Sequence, residues 1–465
     1  GNRVRFCQMN LSLLQFIPFL LLAIGCYLYR PRLLFLILPL AIFVVPTWRL
    51  NIVFPLYLYD LVAVLALSVV VRRGALQAWP RTLPPWHYYF LSVFILLGAF
   101  LPILRYGAHP EIIWIIVHAG LSYSMVLTGF ALLLVPALKP HLKEFLRGIS
   151  ISLVLLAAIA MLERNNLEMV NFFHQIFYPD LDSRFLQSDF AKTIFASRVP
   201  GPFLNSNAFG AVAVLLGATM LVLTDGRQRA LALACVALII FATVSRQCLI
   251  ALAVISICAL VFRRQSQSRA LAAIAALLAL PIGVSLATVL PYFSSWTERL
   301  GRWQGGILSD SNIVARVING PERLAALINE YPFVLLTGVG LDIQKLAAKG
   351  VDVGALSSGF VSNSFLLALY SFGFIGLVLF ISFWAWALIR ASRVPASHRH
   401  LAIGAVAGSI VLFAADNTPF ILEGAIFLNS FLVGAVAAMS VGVSLKEPHV
   451  AIQPSHSRTI ANPNS

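Results

Sequence analysis

Residues 203–262 read FLNSNAFGAVAVLLGATMLVLTDGRQRALALACVALIIFATVSRQCLIALAVISICALVF. This stretch holds three apolar runs, at 203–223, 230–244 and 247–262. The breaks between the runs are short, and one of them consists of little more than Ser245 and Arg246. A membrane-spanning helix needs about 20 mostly apolar residues, whereas a membrane-spanning strand alternates in polarity. The runs are apolar on every face, so the stretch predicts three consecutive transmembrane helices.

The rest of the chain has the same character. Of its 465 residues, 60% are hydrophobic and only 11% are charged, whereas about 25% of the residues of a soluble protein are charged. A water-soluble globular enzyme is therefore excluded. The predicted fold is all-α, a polytopic membrane protein with about 12–13 transmembrane helices. The predicted spans are 11–29, 33–48, 52–71, 87–104, 112–136, 148–163, 203–223, 230–244, 247–262, 270–290, 359–389, 400–415 and 420–444.

The spans form one predicted unit. Residues 1–445 are a single polytopic membrane domain, with a first periplasmic loop at 164–202 and a main periplasmic loop at 291–358. Residues 446–465 are rich in Ser, Pro and Asn, which predicts a disordered cytoplasmic tail.

Basic residues orient the helices. The chain has 33 Lys and Arg against 18 Asp and Glu, a net charge of +15. Short basic connectors lie in the cytoplasm by the positive-inside rule, and alternation then places both long loops outside with most acids, Glu163 among them. The basic connectors are Arg30–Arg32, Arg72–Arg81, Lys139–Arg147, Arg227–Arg229, Arg263–Arg269 and Arg390–Arg399. Arg3 and Arg5 do not fit the positive-inside rule, because thirteen spans with a cytoplasmic C-terminus would place the N-terminus outside. Much of the charge excess is thus topological, and no nucleic-acid partner is expected.

Other basic residues fall on the outer side, where that rule predicts few. They are Arg49, Arg105, Arg164, Arg184, Lys192, Arg198, Arg246, Arg299, Arg302, Arg316, Arg323, Lys345 and Lys349. Long outer loops can carry such charges as solvated or paired groups, and a tight turn can carry a single polar residue. Arg246, however, lies between two spans with no acidic residue close in sequence. An arginine at the edge of the hydrocarbon is costly unless it is paired or faces a wet cavity, and it can bind phosphate through two hydrogen bonds.

Residues 198–210, RVPGPFLNSNAFG, form a second polar constellation. Pro200 and Pro202 break the helix before the apolar run begins. Asn205 and Asn207 follow directly. As structure, this is a Pro/Gly turn with an Asn helix cap. In a functional interpretation, Arg198 and the two asparagine side chains form a polar surface that binds sugar hydroxyls or phosphate oxygens.

The main outer loop contains residues 315–342, ARVINGPERLAALINEYPFVLLTGVGLD. Arg316 and Arg323 accompany a predicted amphipathic helix that would lie along the membrane face. Its apolar residues are Leu324, Leu327, Ile328 and Val334. Gly338 and Gly340 then predict a tight turn before Asp342.

The span that follows this loop begins with polar residues. Ser362 and Asn363 stand at its start. Gly373 and Gly376 lie further along, where they permit close helix contact or a break.

Taken in order, these elements resemble the O-antigen ligase and O-antigen polymerase superfamily of bacterial inner membranes. Its pattern has an Arg-Gly-Phe-Asn-x-Asn stretch, then Ser-Arg at the outer start of a span. An arginine before Gly-x-Gly in a long periplasmic loop follows, and then His-Asn opens a span that has Gly-x-x-Gly behind it. The matching residues here are Arg198, Phe203, Asn205 and Asn207; Ser245 and Arg246; Arg316 or Arg323 with Gly338 and Gly340; and Asn363 with Gly373 and Gly376. The resemblance covers roughly residues 195–380.

The resemblance implies a glycosyl transfer at the periplasmic face of the inner membrane. The donor is an oligosaccharide on undecaprenyl pyrophosphate, and the acceptor is another lipid-linked repeat in a polymerase or lipid A core in a ligase. Arg246, with Arg316 or Arg323, would grip the pyrophosphate. Residues placed against the substrate are Arg198, Asn205, Asn207, Ser245, Ser362 and Asn363. The implied partners are the lipid bilayer and a chain-length regulator and a flippase of the same pathway.

No acidic pair or His/Cys cluster suggests a metal site, so neither a metal nor another cofactor is expected. Fixed arginines can stabilise a departing pyrophosphate without one. The cysteines have neither disulfide nor metal-ligand spacing. They are Cys7, Cys26, Cys235, Cys248 and Cys258.

One departure from the pattern favours a polymerase over a ligase. Ligases of this family have a histidine directly before the asparagine, and this chain has Ser362 there. Serine does not act as a general base near neutral pH without help. A base would have to be an outer carboxylate such as Asp342, Glu330 or Asp189, or else His174. We prefer Asp342 because it stands beside the glycine turn.

A third alternative belongs to another class of protein. A transporter of lipid-linked glycans or anions could use the same arginines without chemistry. Transporters usually carry ionisable groups near mid-membrane and repeated halves. In this chain, only Asp60 is a candidate for an ionisable group near mid-membrane, and the second half of the sequence does not repeat the first.

Overall fold

The computed structural model describes residues 2–51, 55–73, 100–107, 110–177, 198–203, 205–261, 320–340, 364–415 and 423–441. Helices make up 89% of this part of the chain, which confirms the all-α prediction. The N-terminal helices are α1 (Asn2–Tyr29), α2 (Pro31–Phe43), α3 (Leu58–Arg72), α4 (Leu101–Tyr106), α5 (Pro110–Leu134), α6 (Lys139–Asn165) and α7 (Leu167–Phe177). The later ones are α8 (Ser206–Leu223), α9 (Gly226–Thr243), α10 (Arg246–Val261), α11 (Gly320–Glu330), α12 (Phe333–Thr337), α13 (Ser364–Ser392), α14 (Ala396–Ala415) and α15 (Glu423–Ser440). Short 3-10 turns lie at Pro136–Leu138 and Gly201–Phe203.

Several of the described helices have the length and composition of membrane spans. Five are long and apolar enough to cross a bilayer, namely Pro136–Arg164, Ser206–Leu223, Gly226–Thr243, Ser364–Ser392 and Ala396–Ala415. Shorter apolar helices are Phe16–Tyr29, Pro31–Phe43, Ser124–Leu134, Arg246–Val261 and Ala425–Ser440. All of them coincide with predicted spans. The predicted span 270–290, most of 87–104 and the predicted tail 446–465 lie outside the described residues.

The predicted span 52–71 is wrong at its N-terminal end. Strand β1 (Arg49–Asn51) pairs with β2 (Pro55–Tyr57) in an antiparallel hairpin, and the helix begins only at Leu58. Pro55 explains the difference, because proline lacks an amide donor and disfavours helical geometry in the residue before it. The remaining helix α3 has 15 residues, which is about 22 Å at 1.5 Å per residue.

Helix α8 is the centre of the bundle. Of its apolar window, 89% is buried, against 39–50% for the other membrane-length helices. It packs against α6, α9, α10, α14 and α15. Its many Ala, Gly and Val residues let neighbouring helices approach closely. Because α8 is central, the polar residues at its start stand in the middle of one end of the bundle.

The packing pairs segments that are predicted to share a side of the membrane. On the predicted cytoplasmic side, the Arg72 guanidinium lies 5.1 Å from the centre of the Tyr27 ring. At the opposite end, Trp48 Nε1 donates to Ile176 O at 3.0 Å, which joins the β-hairpin to the end of α7. The loop predicted at 164–202 thus begins with a packed helix.

The main outer loop also contains packed helices, and one expectation about them is wrong. The apolar face of α11 was expected to lie on the membrane, but Leu324 and Leu327 are buried in a cluster with Val334, Val339 and Tyr370. Val334 belongs to the separate helix α12. The apolar face of α11 therefore covers protein, namely α12 and the first part of α13.

Candidate functional site

Half of the predicted site residues have described side chains. Arg198, Asn205, Asn207, Ser245 and Arg246 lie together at one end of α8, α9 and α10. Arg323 lies on α11, where only its backbone is described. Arg316, Asp342, Ser362 and Asn363 lie outside the described residues.

Helix ends position this polar cluster. Asn205 caps α8, and its Oδ1 accepts from the Asn207 amide at 2.9 Å, so the predicted Asn cap is confirmed. Helix α9 ends at Thr243, and α10 begins at Arg246. Val244 makes this reversal possible in two residues by adopting the left-handed conformation with φ 49°. That conformation is unfavourable for a β-branched residue, so the tight turn beside Ser245 is strained.

Asn207 is the hub of the cluster. Its Oδ1 accepts from Arg198 Nη2 at 2.5 Å and lies 3.3 Å from Ser245 Oγ. Arg198 Nε also donates to the Thr243 carbonyl at 3.4 Å, at the C-terminal end of α9. Ser245 Oγ lies 3.2 Å from Cys248 Sγ on the first turn of α10. One amide oxygen thus links the arginine of the 198–210 segment to the Ser-Arg pair.

Arg246 stands beside the cluster at the start of α10. It is the first residue of α10, directly after Ser245, and its side chain is half-buried. The first turns of α8 and α10 both lie here, and the first amides of a helix lack partners within that helix. Such helix ends attract anions through these N–H groups and the helix dipole. Two helix N-termini and two guanidinium groups therefore make this end of the bundle suited to an anion.

Glu163 is a member of the site that sequence reasoning missed. The sequence places it only as an acid at the outer end of a predicted span. Its carboxyl is 4% exposed, and its Oε2 accepts from the Gly201 amide at 3.0 Å. Its Oε1 is buried without a hydrogen-bond partner in the described part of the chain. Glu163 thereby fixes the turn that follows Arg198, although it lies far from it in sequence.

The predicted Gly-x-Gly turn and the predicted glycine break meet each other. Helix α13 is interrupted at Gly373, where φ is 68° and ψ is −165°. Val339 N donates to Tyr370 O at 2.8 Å, and Gly340 N donates to Ser371 O at 3.0 Å. A Cβ at Gly373 would stand 2.3 Å from the Leu336 carbonyl. Two glycine motifs that were separate in the sequence therefore form one backbone junction.

Arg105 binds the same junction and does not belong to the polar cluster around Asn207. Its Nη1 donates to Gly338 O at 2.6 Å, and its Nη2 donates to Thr337 Oγ1 at 2.7 Å. Its guanidinium also lies 4.1 Å from the centre of the Phe333 ring. Among the outer arginines, this one therefore has a structural role at the end of α12.

Two of the predicted bases have described side chains. Glu330 is exposed at the end of α11. His174 on α7 is fully buried, and burial lowers the pKa of its imidazole to about 4. The imidazole is neutral near pH 7 but enclosed. Asp342 and Asp189 lie outside the described residues.

Within the described ranges, no group of three His, Cys, Asp or Glu side chains is placed to hold a metal ion. Metal-independent chemistry stays a prediction.

Comparison of the chain with protein-family models finds no match, and comparison with the curated proteins finds none either. The structure shows a polytopic helical membrane protein with five membrane-length apolar helices among its described residues. The resemblance to O-antigen polymerases and ligases remains a hypothesis carried by the motif residues.

Proposed function

We propose that this chain polymerises a cell-surface polysaccharide, an O-antigen or an exopolysaccharide. The donor is a glycan on undecaprenyl pyrophosphate, the acceptor is a second lipid-linked repeat, and the reaction takes place at the periplasmic face of the bacterial inner membrane. The observation that carries the proposal is that Arg198 and Ser245, the residue directly before Arg246, both contact Oδ1 of Asn207. The motif order in the sequence supports the same reaction.

The chemistry requires an acceptor hydroxyl and a leaving group. The hydroxyl oxygen attacks the anomeric carbon of the donor sugar, and the bond from that carbon to the pyrophosphate oxygen breaks. The pyrophosphate keeps the electron pair and stays on the polyprenol, while the hydroxyl proton passes to a base. Negative charge develops on the leaving oxygen, so fixed positive groups stabilise the transition state.

Arg246 is the proposed centre of the pyrophosphate clamp. Its position at the N-terminus of α10 adds the partial positive charge of the helix to that of the guanidinium. Arg316 or Arg323 from the main outer loop completes the clamp. Arg198 assists, and its bond to Asn207 fixes its direction.

The remaining predicted residues are proposed to bind the acceptor sugar and to accept its proton. Asn205 is exposed beside the cluster and offers its amide to a sugar hydroxyl. In the sequence, Ser362 and Asn363 directly precede α13, and Asp342 follows Gly340 by two residues. Asp342 is our proposed base because of its place in the sequence directly after the glycine turn.

A genetic experiment separates this proposal from its alternatives. The gene is deleted, and both the surface glycan and the lipid-linked pool are examined. Loss of a polymerase leaves single repeats on the surface. Accumulation of long lipid-linked chains would instead identify a ligase, and single repeats trapped on the cytoplasmic leaflet would identify a transporter.

Complementation then tests the clamp. Arg246→Ala should fail to restore long surface chains, whereas Arg227→Ala should restore them, because Arg227 is exposed on a predicted cytoplasmic connector. Both proteins are quantified in the membrane fraction. Full activity of Arg246→Ala would rule out the clamp.

A further inference from the structure

The segment that contains α12 contacts α13 in the interior of its apolar stretch. Helix α13 runs from Ser364 to Ser392, and its break falls at Gly373, not at its end. Arg390 lies at its basic end, with its guanidinium 5.2 Å from the centre of the Trp386 ring, as at a membrane interface. From Arg390 to Gly373 the helix rises about 25 Å. Since the hydrocarbon core is about 30 Å thick, the break lies inside it.

A helix break at that depth needs backbone partners. In hydrocarbon, no water can bind the carbonyls that an interrupted helix leaves open, so irregular backbone is tolerated only where protein satisfies it. Val339 and Gly340 supply the amides for Tyr370 and Ser371. These two residues must therefore lie at the same depth as the break. Helix α12 ends directly before them, so it lies close to that depth as well.

The exposed side chains of α12 are apolar. Leu335 is 42% exposed and Leu336 is 63% exposed. Because the Leu336 backbone touches Gly373, these side chains stand beside Phe374, which is 55% exposed on α13. The exposed strip continues along α13 through Ile375, Val378 and Ile381. It is continuous with the lipid-facing surface of a membrane-length helix.

We infer that α12 is a re-entrant element that enters the outer leaflet, with Leu335 and Leu336 against lipid acyl chains. The occupant of this face is the bilayer itself. Arg105 stabilises the element by binding its C-terminal end through Gly338 O and Thr337 Oγ1. Helix α11, whose exposed face carries Glu322, Asn329 and Glu330, lies at the water side. The inference does not depend on the proposed reaction.

Site-directed labelling of the full-length protein tests the inference. Leu336→Cys is compared with Ala326→Cys, an exposed position on α11, and with Phe374→Cys on α13. Each variant is treated with a membrane-impermeant maleimide in the native membrane. Separately, each is labelled with an environment-sensitive fluorophore and reconstituted in liposomes of brominated phosphatidylcholine. The parent protein gives the background of the native cysteines, and thermal stability in detergent checks that each variant is folded.

The expected result is that positions 336 and 374 are protected from the maleimide and lose fluorescence in brominated lipid, while position 326 is labelled and keeps its fluorescence. Rapid labelling of position 336 without quenching would overturn the inference, since the face would then be in water. Protection without quenching would overturn it as well, because protein and not lipid would cover the face.

Discussion

At the scale of single residues, Asn207 determines whether the proposed site exists as a unit. Its Oδ1 is shared by Arg198 and Ser245. Asn207→Leu keeps the approximate shape but removes both hydrogen bonds. We expect polymer formation to fall on the order of tenfold to a hundredfold, because Arg198 loses its fixed direction. The measurement is the length distribution of surface glycan on a gel.

The matched control for this change lies on the other side of the membrane. Gln228→Leu also replaces a polar amide by leucine, but at an exposed position of the predicted cytoplasmic connector. It should leave the glycan pattern unchanged. Equal loss in both variants would mean that Asn207 has no special role.

Glu163 gives a second prediction at this scale. Glu163→Ala leaves the buried Gly201 amide without its acceptor, which should cost about 1–3 kcal/mol in the free energy of unfolding. Glu163→Gln keeps an acceptor oxygen and should cost much less. Thermal unfolding in detergent measures both. An equally large loss with glutamine would contradict this explanation, because the lost acceptor would not be the cause.

The site residues could be predicted one by one but not as a group. Arg198, Asn207 and Arg246 stood out because polar residues at the ends of apolar runs need a reason to be there. Their meeting through one amide oxygen depends on how α8, α9 and α10 pack. Glu163 could not be found, because nothing in the sequence relates it to Gly201. Arg105, in contrast, looked like a candidate for anion binding and instead holds α12.

At the scale of elements, the glycine junction between α12 and α13 makes a clear prediction. A Cβ at Gly373 would approach the Leu336 carbonyl to 2.3 Å, and φ is 68° there. Gly373→Ala should therefore destabilise the docking of α12 by about 1–3 kcal/mol. Proteolysis of the main outer loop in sealed membranes measures the loss of docking.

Gly120→Ala on α5 is the control for this change. No atom lies within 4 Å of a Cβ built at Gly120. This variant should show the protease resistance of the parent protein. A Gly373→Ala protein that resists protease equally well would contradict the close backbone contact.

Helices were predictable and their partners were not. Long apolar runs specify helices because the bilayer requires internal backbone hydrogen bonds. The β-hairpin was not predicted, because the run after Arg49 is apolar and Pro55 is the only residue in it that disfavours a helix. The amphipathic pattern of α11 showed that one face is apolar, but such a pattern is the same whether lipid or protein covers that face.

At the scale of the whole molecule, the alternating orientation of the helices is the main prediction. Asn205 and Gln228 lie beyond opposite ends of α8, and both are exposed. Asn205→Cys should react with an impermeant maleimide added outside intact cells with a permeabilised outer membrane. Gln228→Cys should react only after the inner membrane is opened. The reverse order of reaction would invert the topology and place the arginine cluster in the cytoplasm.

The central claim is that the cluster around Arg246 transfers lipid-linked sugar chains. The most direct measurement uses the purified protein in liposomes with the lipid-pyrophosphate-linked repeat, and follows chain elongation on a gel. The parent protein and Arg227→Ala should extend the repeat at equal rates, and Arg246→Ala should be slower by about a hundredfold or more, the effect of removing a transition-state charge partner. Elongation by Arg246→Ala at the parental rate, or no elongation by the folded parent protein, would contradict the account.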